Sequence, residues 1–180
     1  VIDQNETCFC AISNSQCNLQ LPIIQSSLQH ALQEIRSIAT GLGLPQLDGF
    51  TLQELFNRVV FSHERRTGTK VTLEIHNLPD QINLPTKIAI YRLIQEALTN
   101  SFRHANGKGQ QVQAFLEGDR IHIKVSDAGP GFKLKKHIDW DGHLGVSGMR
   151  ERVESLGGLF TIESEEGHGT RVIACLPLQP

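Results

Sequence analysis

At 180 residues with 39% hydrophobic and 20% charged side chains, the chain has the size and make-up of one core-forming domain with room for an appendage. A formal charge of -2 lacks the basic excess of a nucleic-acid face, and no apolar run approaches the roughly eighteen residues of a membrane-spanning helix. The opening VIDQNETCFC carries no basic stretch followed by an apolar one, so no signal peptide is read there; the missing initiator methionine points to a piece of a longer protein whose membrane attachment stays open.

Residues 1–18 are polar and aperiodic and read as an irregular lead-in. They hold Cys8, Cys10 and Cys17, with Cys175 far away. These read as reduced thiols of a cytosolic protein; a C-x-C pair plus a third cysteine would form part of a metal or iron-sulfur ligand set only with a fourth donor. Over 19–47 a helical pattern takes over. Leu21, Ile24, Leu28, Ala31, Leu32, Ile35, Ile38, Ala39 and Leu42 keep one narrow seam, and Gly41, Gly43 and Pro45 end it. So narrow a seam calls for a partner helix rather than a globular core, and His30 within it reads as an ordinary polar position.

After the linker QLDGFT, Thr51 caps a second helix that runs through Arg58 or beyond, with Leu52, Leu55, Phe56, Val59 and Val60 inward. Residues 71–76 alternate as a half-buried strand. Next comes LPTKIAIYRLIQEALTNSFRHAN, 84–106, with Pro85 in the first turn and Ile90, Leu93, Ile94, Ala97, Leu98 and Ser101 as its core stripe. Arg92, Glu96, Asn100, Arg103 and His104 fall on the opposite side at spacings of three and four. Such a stripe is either a solvated surface or a working face. A carboxylate and a carboxamide one turn apart can hold water and a hard cation such as Mg²⁺, which favours oxygen ligands shared with substrate phosphates.

Two alternating runs follow, Val112–Ala114–Leu116 and Ile121–Ile123–Val125, joined by Gly118 and Asp119 as a hairpin. The second run ends in SDAGPGF, placing Asp127 where the chain leaves the sheet; Gly129 and Gly131 allow a sharp bend close to a ligand. Residues 133–143 are charged, hold Trp140, and have the composition of a lid. LGVSGMRERVESLGG then sets Gly145 and Gly148 at the front of a helix whose inward side is Met149, Val153 and Leu156, and a glycine-rich helix entrance presents free N–H groups to an anion. A last strand pair, around 159–163 and 171–176, is linked by EEGHGT.

Each glycine motif alone is weak, but their order is specific: a Glu-x3-Asn helix, DAGPGF at a strand end, a basic lid, GVSGMRERVESLGG, and GHGT before a final strand. This series resembles the ATP-binding domain shared by histidine kinases, gyrase, the Hsp90 chaperones and MutL. Within that superfamily it is most similar to two-component sensor kinases of the NarX, DesK and LiaS type, through EALTN-x3-HA and G-x-x-GMRERV-x-x-LGG. The resemblance is strong over 50–180. It extends more loosely to 19–47, where LQHALQEIRSIATGL is similar to the second helix of that family's dimerisation and phosphotransfer hairpin.

The resemblance implies an α+β fold: a two-layer α/β sandwich of Bergerat type, its mixed sheet covered on one face by helices, preceded here by the long helix, with the catalytic domain over 48–180. It implies ATP and Mg²⁺ as cofactors. Glu96 would be the polarising or basic catalytic residue, Asn100 would reach Mg²⁺, and Arg103 and His104 would lie by the phosphates. Asp127, with Gly129 and Gly131, would accept a hydrogen bond from the adenine amino group; Gly145, Gly148 and Met149 would close the lid; Gly169 and Thr170 would flank the base. Lys133, Lys135 and Lys136 would either add charge near the triphosphate or form a solvated surface. The implied partners are a response regulator of the NarL type and a second copy in the full-length parent, in the cytoplasm, with no nucleic acid and no membrane contact by this stretch. The family's phosphoacceptor, a His-Asp pair on the first hairpin helix, has no counterpart here, because His30 is followed by Ala31 and lies too close to Glu34 and Arg36. Binding of Mg-ATP without autophosphorylation is therefore expected of this chain. The rival readings are an ATP-dependent switch of the same fold, akin to anti-sigma serine kinases or a degenerate ATPase, and a purely structural interaction domain.

Overall fold

The computed structural model of the protein describes residues 47–133 and 144–178. The expected helix over 19–47, save Leu47, the three early cysteines, His30 and the lid with Lys135, Lys136 and Trp140 lie outside the described residues.

Helix α1 (Leu52–Thr67) begins at a complete capping box: Thr51 Oγ1 accepts from the Glu54 N–H at 3.2 Å, and the Glu54 carboxylate accepts from the Thr51 N–H at 2.8 Å. It ends on Gly68, whose φ of 73° only glycine adopts freely. Leu52, Leu55, Phe56, Val59 and Val60 are all buried, as the periodicity requires. Helix α2 (Leu84–Ala105) starts from Asn83, whose side chain accepts from the Thr86 N–H at 2.8 Å, with Pro85 where an amide hydrogen would have had no helical partner anyway. Its stripe of Ile90, Leu93, Ile94, Ala97, Leu98 and Ser101 is buried throughout. Helix α3 (Leu144–Glu154) is shorter and inserts Met149 and Val153 into the core.

Five strands, β1 (Thr72–His76), β2 (Gln111–Glu117), β3 (Arg120–Asp127), β4 (Leu159–Ser164) and β5 (Thr170–Pro177), form one sheet in the order β1-β2-β3-β5-β4. Only β1 and β2 are parallel, and α2 makes the crossover between them, so the sheet is mixed. Period-two alternation puts Val112, Ala114, Ile121, Ile123, Val125, Val172, Ala174 and Leu176 on the buried face. Gln113, Phe115, His122 and Lys124 alternate with them on the opposite, less buried face. This is the expected α+β two-layer arrangement, with helices against one side of the sheet.

Two buried polar features were not expected. Lys87, on the inner side of α2, is only 2% exposed. Its ammonium donates to the carbonyls of Phe50 at 2.7 Å and Asp48 at 3.3 Å and to Gln81 Oε1 at 2.8 Å, so the segment before α1 is tied to α2 by a cation in a cage of neutral oxygens. Near the other end of α2, Gln110 donates to the Leu98 carbonyl at 3.0 Å and accepts from Thr69 Oγ1 at 3.0 Å, while its Oε1 also lies 3.2 Å from His63 Nε2.

Candidate nucleotide site

Glu96 and Asn100 stand one turn apart on α2, half-buried, and Asn100 Nδ2 donates to Glu96 Oε1 at 3.2 Å. That bond leaves Asn100 Oδ1 without a partner among the described residues, so an amide oxygen and a carboxylate sit together at one place. Gly145, in the first turn of α3, is seated against Glu96 Oε1; a side chain there would collide with the carboxylate. A side chain at this position would push the Glu96 carboxylate out of its place beside α3. Its N-terminal turn brings partial positive charge beside the carboxylate-amide pair. Gly148 lies one turn further on, beneath the Arg152 guanidinium, and Met149 is 1% exposed, a core residue that seats α3 rather than a surface group. Arg103 and His104, in the last turn of α2, are exposed.

The second half of the site is built where two sheet ends and two loops meet. Asp127 ends β3 and faces Thr170, the first residue of β5, in the antiparallel register. Asp127 Oδ1 accepts from the Gly129 N–H at 2.9 Å, an Asx turn that fixes the carboxylate at the strand end. Gly129 packs on Ala105 at the end of α2, which sets the aspartate loop beside that helix. Gly131 (φ 59°) and Gly169 (φ 78°) press against the carbonyls of Glu165 and Asp127, so the loops 127–131 and 165–170 interlock through glycine backbone. A bond from the Gly167 N–H to the Pro130 carbonyl at 2.7 Å closes the same junction.

Ser164 joins these parts and carried no signal in the sequence. Its hydroxyl donates to the Gly169 carbonyl at 2.9 Å, lies 3.1 Å from Thr170 Oγ1 and accepts from the Phe132 N–H at 3.0 Å. Phe132 is the last residue before the expected lid at 133–143, so Ser164 fastens the end of the SDAGPGF loop to the end of β4. Lys133 forms a pair with Glu166 at 3.3 Å, both side chains largely in solvent, which is worth at most about 1 kcal/mol. The structure therefore brings Glu96, Asn100, Gly145 and Gly148 together on one side and Asp127, Gly129, Gly131, Gly169 and Thr170 on the other, with the C-terminal end of α2 between them.

Among the described residues, no group of three or more His, Cys, Asp and Glu side chains is placed to hold a metal ion, and no helix is long and apolar enough to cross a membrane.

Over residues 86–180, just over half of the chain, the sequence matches the family of histidine kinase-, DNA gyrase B- and HSP90-like ATPases. Curated relatives include the sensor protein VraS of Staphylococcus epidermidis, 29% identical over 161 residues, covering 89% of this chain and 45% of the relative. VraS of Staphylococcus aureus is likewise 29% identical, covering 88% of this chain and 45% of the relative. The chain thus spans a little under half the length of these relatives. Among solved structures, the histidine kinase domain of a blue-light activated kinase from Erythrobacter litoralis superposes with a TM-score of 0.54 at 25% identity, covering 68% of this chain and 58% of that one. The Acinetobacter baumannii histidine kinase AdeS shares the fold with a TM-score of 0.61 at 16% identity, over 100% of this chain and 88% of that one. With a matching family profile, a mixed five-stranded sheet under helices and the Glu-Asn and Asp-Gly-Gly elements at its rim, the chain belongs to the histidine kinase-, DNA gyrase B- and HSP90-like ATPases.

Proposed function

We propose that this chain is the ATP-binding catalytic part of a sensor histidine kinase, which moves the γ-phosphate of Mg-ATP to a histidine on a separate helix for relay to a response regulator. One observation carries the reading: the hydrogen-bonded Glu96–Asn100 pair lies at the glycine entrance of α3, while Asp127 and Thr170 face one another at the far end of α2. A nucleotide needs those two ends, a carboxylate acceptor for an adenine amino group and a polar, anion-tolerant platform for the phosphates. Asp127, held by the Gly129 N–H, selects a donor on the base; guanine presents a carbonyl at the corresponding position and leaves the carboxylate unpaired. The VraS relatives, named as sensor proteins, and the histidine kinase domain from Erythrobacter litoralis support the kinase assignment.

The donor set fits Mg²⁺: the free Asn100 Oδ1 and the Glu96 carboxylate are hard oxygens, and so small a protein share suits an ion that keeps waters and phosphate oxygens. When bound, the ion would neutralise charge developing on the transferred phosphoryl group. The protein's own share is positional. The turn of α3 beginning at Gly145 offers N–H groups, Arg103 and His104 add donors at the end of α2, and Glu96 orients the incoming imidazole and accepts its proton. A ring nitrogen attacks the γ-phosphorus, a P–N bond forms as the bridging P–O bond breaks, and ADP leaves. In the parent the acceptor would sit on a hairpin of which 19–47 supplies the second helix, in a cytoplasmic homodimer that engages a regulator of the NarL type.

The test is label transfer from γ-labelled ATP with an acceptor hairpin from a VraS relative supplied in trans. Acid-labile label on the hairpin, lost with Glu96→Ala and Asn100→Ala, is the expected result. Nucleotide binding and hydrolysis without transfer would replace the kinase with an ATP-dependent switch of the same fold.

A further inference from the structure

Arg92 stands one turn before Glu96 on the polar face of α2, and Arg152 lies on α3, which packs on α2. Neither guanidinium has a carboxylate partner among the described residues. Arg92 Nη1 donates to Gln95 Oε1 at 2.8 Å, and Arg152 Nη1 donates to the Gly148 carbonyl at 2.8 Å, both neutral acceptors. Among the described residues, Arg92 Nη2 is buried with no acceptor. Burial, and then the nearby positive charge of Arg152, hold the Arg92 guanidinium below the usual arginine range. Two like charges on packed helices, one with a desolvated and unused donor, leave hydrogen-bonding capacity that an anion would complete.

The two side-chain bonds fix the directions in which the guanidinium groups extend. Gln95 holds the Arg92 guanidinium along α2 in the direction of the helix C-terminus, and the Gly148 carbonyl holds the Arg152 guanidinium back along α3 towards the turn at Gly145, which itself abuts Glu96. The helical rise puts Arg92 roughly 6 Å along the axis from Glu96 and roughly 12 Å from Asn100. We infer that Arg92 and Arg152 form a γ-phosphate seat beyond Glu96, distinguishing ATP from ADP by paired, charge-assisted hydrogen bonds to the terminal phosphoryl oxygens. The inference rests on the nucleotide reading above and goes beyond it by assigning the discrimination between triphosphate and diphosphate to two arginines, Arg92 outside the Glu-x3-Asn spacing and Arg152 within GMRERV, to which the motifs assign no role. Arginine suits the task because its planar fork meets two phosphate oxygens at once.

Calorimetric titration of the whole chain with Mg-ATP and Mg-ADP, as the parent and as Arg92→Gln, Arg152→Gln and Arg92→Lys, tests it. In both glutamine variants affinity for ATP is expected to fall about tenfold or more while affinity for ADP holds, and Arg92→Lys should recover part of the loss. Retained ADP binding shows that each variant has folded. An unchanged ratio of ATP to ADP affinity, whether both stay the same or both fall together, would overturn the seat and leave the nucleotide site standing. A parent chain that binds neither nucleotide would overturn both.

Discussion

Gly169 and His63 show how much single residues decide here. Gly169 combines a φ of 78° with direct contact to the Asp127 carbonyl, so a methyl group there is opposed by backbone strain and by collision. Gly118 has a similar φ of 60° but open space around it. The left-handed conformation alone costs a non-glycine residue about 1–2 kcal/mol, which Gly118→Ala should show; Gly169→Ala should exceed it and also loosen the Asp127 loop, as thermal melts would reveal. His63 is 3% exposed, with Nε2 on Gln110, Nδ1 unpartnered and the Phe102 ring edge-on 6.3 Å away. Burial lowers its pKa from the ordinary value near 6.5, against a smaller opposing pull from the Gln110 hydrogen bond; Arg66 lowers it further and Glu64 raises it slightly. The folded state therefore takes up this proton less readily than the unfolded chain. Its contribution to stability is complete above pH 6.5 and is lost as pH falls from there towards the folded value. Urea midpoints should drop between pH 7.5 and 5.5, and His63→Gln should flatten that part of the curve. A slope that survives the substitution would assign it to another group.

At the scale of elements, the three described helices were legible because their signals are local. The Thr51 capping box, Pro85 in a first turn and the three- and four-residue spacing of Ile90, Leu93, Ile94, Ala97 and Leu98 all lie within one stretch of chain, and each appears as read. Lys87 was not legible, since its partners at Asp48, Phe50 and Gln81 meet it only after folding, and a lysine inside a helix reads as a solvated side chain. Lys87→Met would leave those oxygens buried and unpaired at a cost of roughly 1–3 kcal/mol. Hydrogen exchange should then rise first over 47–51, while that at β3 and β5 stays slow. Uniform loss of protection would show that the lysine supports the whole core instead. Gln110 and Ser164 escaped for the same reason as Lys87: each bridges elements that are distant in sequence, and neither belongs to a patterned stripe.

For the whole molecule, sheet order could not be counted off the strands, because β5 inserts between β3 and β4 and only the folded register sets Asp127 opposite Thr170. The family resemblance nevertheless set Gly169 and Thr170 beside the base that Asp127 would bind, and glycine allows the backbones of the two loops to approach closely. Most of the candidate site was read as residues. What the sequence left out was how they are held: Gly145 against Glu96, the Gly131 and Gly169 contacts, and the Ser164 clasp. In the proposed reading these parts form an adenine nucleotide pocket. Its most direct test is calorimetry with Mg-ATP and Mg-GTP on the parent and on Asp127→Ala. Saturable ATP binding is expected, with GTP at least about tenfold weaker and ATP affinity falling by a similar factor in the variant, since a hydrogen bond to a charged group is worth about 1.5–3 kcal/mol. Equal affinity for the two nucleotides, or ATP binding indifferent to Asp127→Ala, would contradict the pocket as described.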